Sequence, residues 1–233
     1  MKTFKILLTG VVALSLLASS SCNTMTNTGK GALIGGGGGA ALGAGIGALI
    51  GGGKGAGIGS AIGAAVGAGA GTLIGNKMDK QKKELEAQLA QKAEVESVKD
   101  QNGLEAIKVT FNSGILFPFN GTSLNNAAKQ DLTTFASSLI NNPQTNVQIF
   151  GYTDNVGSYA ANEKVANGRA DAVRTYLIHS GVAASRITAQ GVPMADYVAS
   201  NDTPEGRAQN RRVEIYITAS PQMIQAAENG TLQ

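Results

Sequence analysis

The chain has 233 residues, with 19 Lys and Arg against 16 Asp and Glu, 32 glycines, one histidine and one cysteine. A single cysteine excludes an intramolecular disulfide. From Leu104 to Ala219 nine basic residues face nine acidic ones, which leaves no electrostatic footprint for nucleic acid.

The first segment, "MKTFKILLTGVVALSLLASSSC", carries Lys2 and Lys5, an apolar run from Ile6 to Ala18, and small residues up to Cys22. This is the order of an export signal, and the run is shorter than the roughly 20 residues a membrane span needs. The position of Cys22 resembles a bacterial lipoprotein cleavage site, which implies a signal peptide over 1–21, an acylated Cys22, and a tether over 22–30. The lipoprotein pattern has an aliphatic residue three places earlier, where this chain has Ser19. A plain signal peptide followed by a free thiol is the alternative. Asn23 rather than Asp at the second position after the cysteine favours the outer membrane, by the same resemblance.

Over residues 31–75 glycine recurs at every fourth position, from Gly31 through Gly51 to Gly75, among Ala, Ile and Leu, with Lys54 as the one charge. Residues four apart lie along one side of a helix, so the period makes a groove that lets helices approach backbone to backbone. Each interior glycine costs a helix in water about 1 kcal/mol relative to Ala, whereas lipid penalises unpaired backbone and favours close packing. The segment is therefore expected to be a membrane-associated helical hairpin, divided at "GGGKG" (51–55), and able to associate between copies. A flexible Gly/Ala linker is the other reading.

Residues 76–103, "NKMDKQKKELEAQLAQKAEVESVKD" and the turn signal "DQNG", are rich in helix formers. Met78, Leu85 and Leu89 are too sparse for a coiled coil, so a solvated helical spacer is expected, lifting the next domain about 35 Å. Beyond it, strand-like "GLEAIKVTF", helical "NNAAKQDLTTFASSLINN", strand-like "NVQIFGYT", a helix closing at Gly181, "RITAQGV" and the strand "RRVEIYITA" alternate. That order predicts one α+β domain over 104–220, with a sheet and its helices in two layers, and a tail over 221–233.

Within "GYTDNVGSYAANEKVANGRADAV" (151–173) an acid sits in a loop and an arginine on the following helix. Taken alone, Asp154 and Arg169 either pair with each other or hold a ligand that carries an ammonium and a carboxylate. Asn162 and Arg169 are seven apart, two helical turns, and so share a face.

The pieces "GYTDNVG", "RADAVRTYLIHSGV", "RITAQG" and "SNDTPEGRAQNRRVEI" strongly resemble the OmpA-like peptidoglycan-binding domain, over about half of the chain. With its front end, the whole chain resembles an outer-membrane lipoprotein of that family. The resemblance implies a βαβαβ sandwich that binds the diaminopimelate of peptidoglycan stem peptides through Asp154 and Arg169, with Asn162 on the helix face and Thr153 in the loop. Arg211 and Arg212 are expected as framework or rim contacts. The chain departs from the family pattern at Tyr152, where His is frequent, at Val165 and Ala166, where Leu-Ser is frequent, and at Tyr197, where Pro is common.

An enzyme is disfavoured. His179 sits at a helix end where capping suffices, and no Ser-His-acid order, metal-ligand spacing or phosphate loop is present. The repeat lacks the membrane acid of ion-conducting stator subunits. The expectation is a lipid-anchored tether between outer membrane and wall, without cofactor or metal. The alternative is a membrane-active or pore-forming protein that the wall domain localises.

Overall fold

A computed structural model describes residues 66–232 except positions 101, 119 and 120. Cys22, the signal segment and the repeat up to residue 65 lie outside the described residues, and with them the hairpin, lipidation and pore readings. Among the described residues no helix is long and apolar enough to cross a membrane.

The described chain begins with α1 (Ala68–Gln88), which crosses the boundary expected between repeat and spacer. Its buried side chains are Ala70, Ile74, Met78, Gln81 and Leu85, and Leu89 at the C-cap continues the series. These steps of four, four, three, four and four make one continuous stripe. The stripe packs on the domain core, so this helix is not a solvated stalk.

Strand β1 (Glu94–Lys99) corrects the helical reading of the same segment. It pairs antiparallel with β2 (Glu105–Asn112), from Glu94 opposite Thr110 to Lys99 opposite Glu105. Charges that suit a helix surface here cross between strands: Lys108 pairs with Glu96 at 2.6 Å, and Lys99 pairs with Glu105. They also mark β1 as a protected sheet edge. The turn between the strands is closed by the Asp100 carboxylate, which accepts from the amides of Asn102 and Leu104, both at 2.8 Å.

A one-turn helix, α2 (Ser113–Leu116), leads to α3 (Asn126–Asn141), capped by Asn125. Then come β3 (Thr145–Tyr152), α4 (Tyr159–His179), β4 (Ile187–Val192), α5 (Pro204–Asn210), β5 (Arg212–Ala219) and α6 (Pro221–Glu228). The sheet order is β1-β2-β5-β3-β4, parallel only between β3 and β4, where α4 forms the crossover. The expected two-layer α+β arrangement is present, with β1 as an added strand. Val109, Ile215 and Ile149 stand side by side across the sheet and point into one core with α1, α3, α4 and α6.

Arg186, within "RITAQG", joins the layers. Its guanidinium donates to the carbonyls of Thr145, Leu139 and Asn142 at 2.6, 2.9 and 2.9 Å, which satisfies the open end of α3. The segment read as a tail is also structural. Ser220 caps α6, Pro221 starts it, and Met223, Ile224 and Ala227 are buried.

Met78→Ala should destabilise the chain by about 2–4 kcal/mol, measured by urea denaturation, because it empties a site in the core. A side chain on a stalk standing clear of the domain gives no measurable change.

Candidate functional site

The site is built where β3 ends. Gly151 of β3 lies opposite Gly191 of β4, and α4 crosses directly above them. A Cβ at Gly151 would stand 2.3 Å from the Ala166 carbonyl oxygen, and one at Gly191 would stand 2.5 Å from the Asn167 amide nitrogen. The absence of side chains here lets the helix backbone rest on the sheet, with Ala166 fully buried at the contact. Ala166 therefore faces the sheet and not the site, so a serine there would have no route to a ligand. Asn167 completes the contact by accepting from the Gly191 amide at 2.8 Å.

Beyond Tyr152 the chain forms a tight acidic loop. One oxygen of Asp154 accepts from the Val156 amide at 3.0 Å, and Gly157 turns with φ 95°. Ser158 caps α4, and the Asn162 amide donates to the carbonyls of Val156 and Ser158 at 2.9 and 3.1 Å. Asn162 thus fastens the loop to the helix. Thr153 anchors a second loop, accepting from the Met194 amide at 3.0 Å.

Arg169 lies two turns along the helix from Asn162 and is only 4% exposed. Its Nε donates to the Gly121 carbonyl at 3.1 Å and its guanidinium lies 5.5 Å from the centre of the Phe117 ring. Its Nη1 is buried with no hydrogen-bond partner among the described residues. Burial, and then the neighbouring Arg211, push the Arg169 pKa down, while Asp154 opposes the shift. A cation in this setting gains from any anion that reaches it.

Thr153, Asp154, Asn162 and Arg169 all line one cavity of about 660 Å³, together with Arg207 and Arg211. The ion-pair partner of Asp154 is Arg211, at 2.6 Å, and not Arg169. Three guanidinium groups therefore surround one carboxylate. Arg207 donates to the Asn201 carbonyl at 2.7 Å from α5, whose N-terminus is set by the Thr203 cap and Pro204. Sequence reasoning gave Arg211 a framework or rim role and passed over Arg207. The signal available for both was the arginine spacing in "GRAQNRR".

Arg212 is a framework residue. It is buried against the Tyr152 ring, 3.8 Å from its centre, donates to Glu214 at 2.7 Å and to the Asp196 carbonyl at 2.9 Å. Tyr216 donates to the other Glu214 oxygen at 2.8 Å. Burial and then Glu214 hold the Tyr152 and Tyr216 phenols neutral by pushing their pKa values up. Tyr152 is thus a platform for Arg212. His179 lies at the far end of α4, its Nδ1 2.8 Å from the Thr175 carbonyl.

Residues 116–211 match the model of the OmpA family, and residues 1–79 match that of the YMGG-like Gly-zipper. The chain is 40% identical over 136 residues to the probable lipoprotein YiaD of Escherichia coli (strain K12), covering 58% of this chain and 61% of that one. It is 42% identical over 112 residues to the peptidoglycan-binding protein ArfA of Mycobacterium bovis, covering 48% of this chain and 34% of that one. The chain thus spans less than two thirds of either relative. Among solved structures, the cell wall anchor of the T6SS from Pseudomonas aeruginosa superposes with a TM-score of 0.51 and 29% identity, covering 60% of this chain and 99% of that one.

Gly191→Ala should cost at least about 2 kcal/mol in chemical denaturation, since the new methyl group meets helix backbone that must shift. Gly71→Ala in α1, where a Cβ meets nothing within 4 Å, should instead be neutral or stabilise by up to about 1 kcal/mol. Equal losses at both positions would contradict the close-approach account.

Proposed function

We propose that this chain is a lipid-anchored protein of the bacterial cell envelope that ties the outer membrane to peptidoglycan by gripping the diaminopimelate of stem peptides, without cutting the wall. The names carried by its relatives, a lipoprotein, a peptidoglycan-binding protein and a cell wall anchor, support envelope location and wall binding. The observation that carries the ligand assignment is the presence, in one cavity, of Asp154 and a buried Arg169 whose Nη1 has no hydrogen-bond partner among the described residues. The far end of diaminopimelate bears an ammonium and a carboxylate on one carbon. Asp154 would accept from the ammonium and Arg169 would donate to the carboxylate through charge-assisted hydrogen bonds. Acylated Cys22 and the glycine repeat would hold the membrane, with copies able to associate through the repeat.

Asp154→Ala and Arg169→Ala, tested separately in the purified full chain, should each weaken binding to a diaminopimelate-containing wall peptide by roughly thirty-fold, or about 2 kcal/mol. The double variant should lose less than the sum, because both groups serve one ligand. A peptide with Lys in place of diaminopimelate should bind more weakly, having kept the ammonium and lost the carboxylate. Folded variants, checked by circular dichroism, that bind sacculi as the parent does would refute the assignment.

A further inference from the structure

The apolar stripe of α1 is interrupted once. Ala70, Ile74, Met78, Leu85 and Leu89 bury hydrocarbon, whereas Gln81 buries an amide at 2% exposure, and its Nε2 has no hydrogen-bond partner among the described residues. A donor buried without an acceptor costs stability that Leu or Met at the same position would not. Gln81 lines a cavity of about 420 Å³ between α1, the end of α3 and the chain beyond α6. The unused donor thus adjoins a space able to admit an acceptor.

That cavity is ordered along the helix. Leu73, 39% exposed, and Leu232 give it an apolar end; Lys77 and Lys80 follow one and two turns further on, beside Gln81, and Glu84 comes a turn beyond Lys80. Residues three and four apart share a helix face, so the α1 side chains stand in one row. At 1.5 Å per residue, Leu73 and Lys80 are roughly 10 Å apart along the axis, and Lys80 and Glu84 roughly 6 Å. Lys80 is exposed, and one oxygen of Glu84 accepts from Gln88 at 3.0 Å. Where the end of α3 borders the cavity, the carbonyls of Leu139 and Asn142 are taken by Arg186 and that of Ser138 by the Asn142 side chain. The negative end of that helix is therefore already compensated and does not compete for the lysines.

Apolar, then cationic with a spare amide donor, then anionic is the order of groups in a lipid whose glycerol phosphate is esterified to ethanolamine: acyl chain, phosphate, primary ammonium. We propose that this groove binds the headgroup of such a phosphoethanolamine lipid. Phosphate oxygens accept from Lys80 and from Gln81 Nε2, with Lys77 adding positive charge. The ammonium donates to Glu84, and the first acyl carbons lie on Leu73 and Leu232. This site is separate from the wall site, since no residue lines both cavities. Its orientation alone rests on the proposed membrane attachment: α1 receives the chain from the glycine repeat, so the apolar end faces the side from which the repeat arrives.

Calorimetric titration of the full chain in an uncharged maltoside detergent tests this with three probes: dihexanoylphosphatidylethanolamine, dihexanoylphosphatidylglycerol and free O-phosphoethanolamine. The parent should bind the ethanolamine lipid about three- to fivefold more tightly than the glycerol lipid, which lacks the ammonium, and more tightly than the free headgroup, which lacks the acyl carbons. Lys80→Ala and Gln81→Met should each weaken both lipids by about tenfold. Glu84→Gln should abolish the preference between the lipids, and Leu73→Ser the preference over the free headgroup. Lys80→Ala should bind the diaminopimelate wall peptide as the parent does, so the outcome here is independent of the outcome at Asp154. Absence of saturable binding by the parent, or parent-like affinity in both Lys80→Ala and Gln81→Met, would overturn the site. Equal binding of the two lipids by the parent would overturn the ethanolamine assignment, and equal binding of lipid and free headgroup would overturn the lipid as its source.

Discussion

The position of Arg169 depends on how far α4 can sink toward the sheet, and that depth is set by two missing side chains. Along the row Phe111, Val213, Gly151 and Gly191, which are neighbours across β2, β5, β3 and β4, the apolar surface drops to bare backbone under the helix. A helix seated on side chains packs about 10 Å from its neighbour, and removing them brings it closer. At this depth Ala166 fills the contact, and Arg169, three residues later, is buried at the edge of the sheet beside Gly121 and Phe117. The same descent lets Asn162 reach the loop carbonyls that shape the Asp154 turn. Two glycines in the strands thus fix the acid and the arginine relative to each other.

The electrostatics on the two sides of the sheet end are balanced differently. On one side Arg212 and Glu214 are both buried, and each is compensated by hydrogen bonds and by Tyr152 or Tyr216. Buried pairs contribute little net stability when complete but cost about 3–5 kcal/mol when one partner is removed, which makes this network a rigid support. On the other side Asp154, Arg169, Arg207 and Arg211 share a cavity and leave an excess of positive charge. Fixed neutral charge holds the loop, and unbalanced charge faces the opening. That division leaves the cavity able to attract an anionic group.

Much of the domain was legible because its elements carry clear periodicity: the alternation of "RRVEIYITA" and the stripe through Ala166, Ala170, Val173 and Leu177 both read directly. Composition changes where the fold does not, because the glycine-rich and the charged stretches meet inside α1. Ile74 lies in the glycine-rich stretch and Met78 in the charged one, so neither composition alone shows the apolar stripe they share along α1. "EVESVK" has helix-forming glutamates and lysine, yet pairing with β2 supplies a ladder of hydrogen bonds that local propensity does not register. Asp154 and Arg169 were found through motif resemblance. The contact of Arg211 with Asp154 spans 57 positions, and no periodicity reports it.

The packing of α1 also changes how the chain would work as a tether. A free spacer would transmit tension from the repeat to the domain as a flexible string attached at one point. Instead α1 is buried along its length against β1, β2, α3 and α6, so tension arriving at Ala68 is spread over the core. The sheet order places that attachment on β1 and β2, while the cavity opens at the end of β3, two strands beyond β2. With strands about 4.8 Å apart, the load crosses roughly 10 Å of sheet between β2 and β3 through the antiparallel ladders of β5. Those ladders have many hydrogen bonds in register on both sides of β5, from Ile107 opposite Ile217 to Thr145 opposite Ala219. Under the proposed tethering, the central strand β5 joins the membrane-side helix to the wall-side site, and its first residue, Arg212, is anchored on Tyr152 at the end of β3.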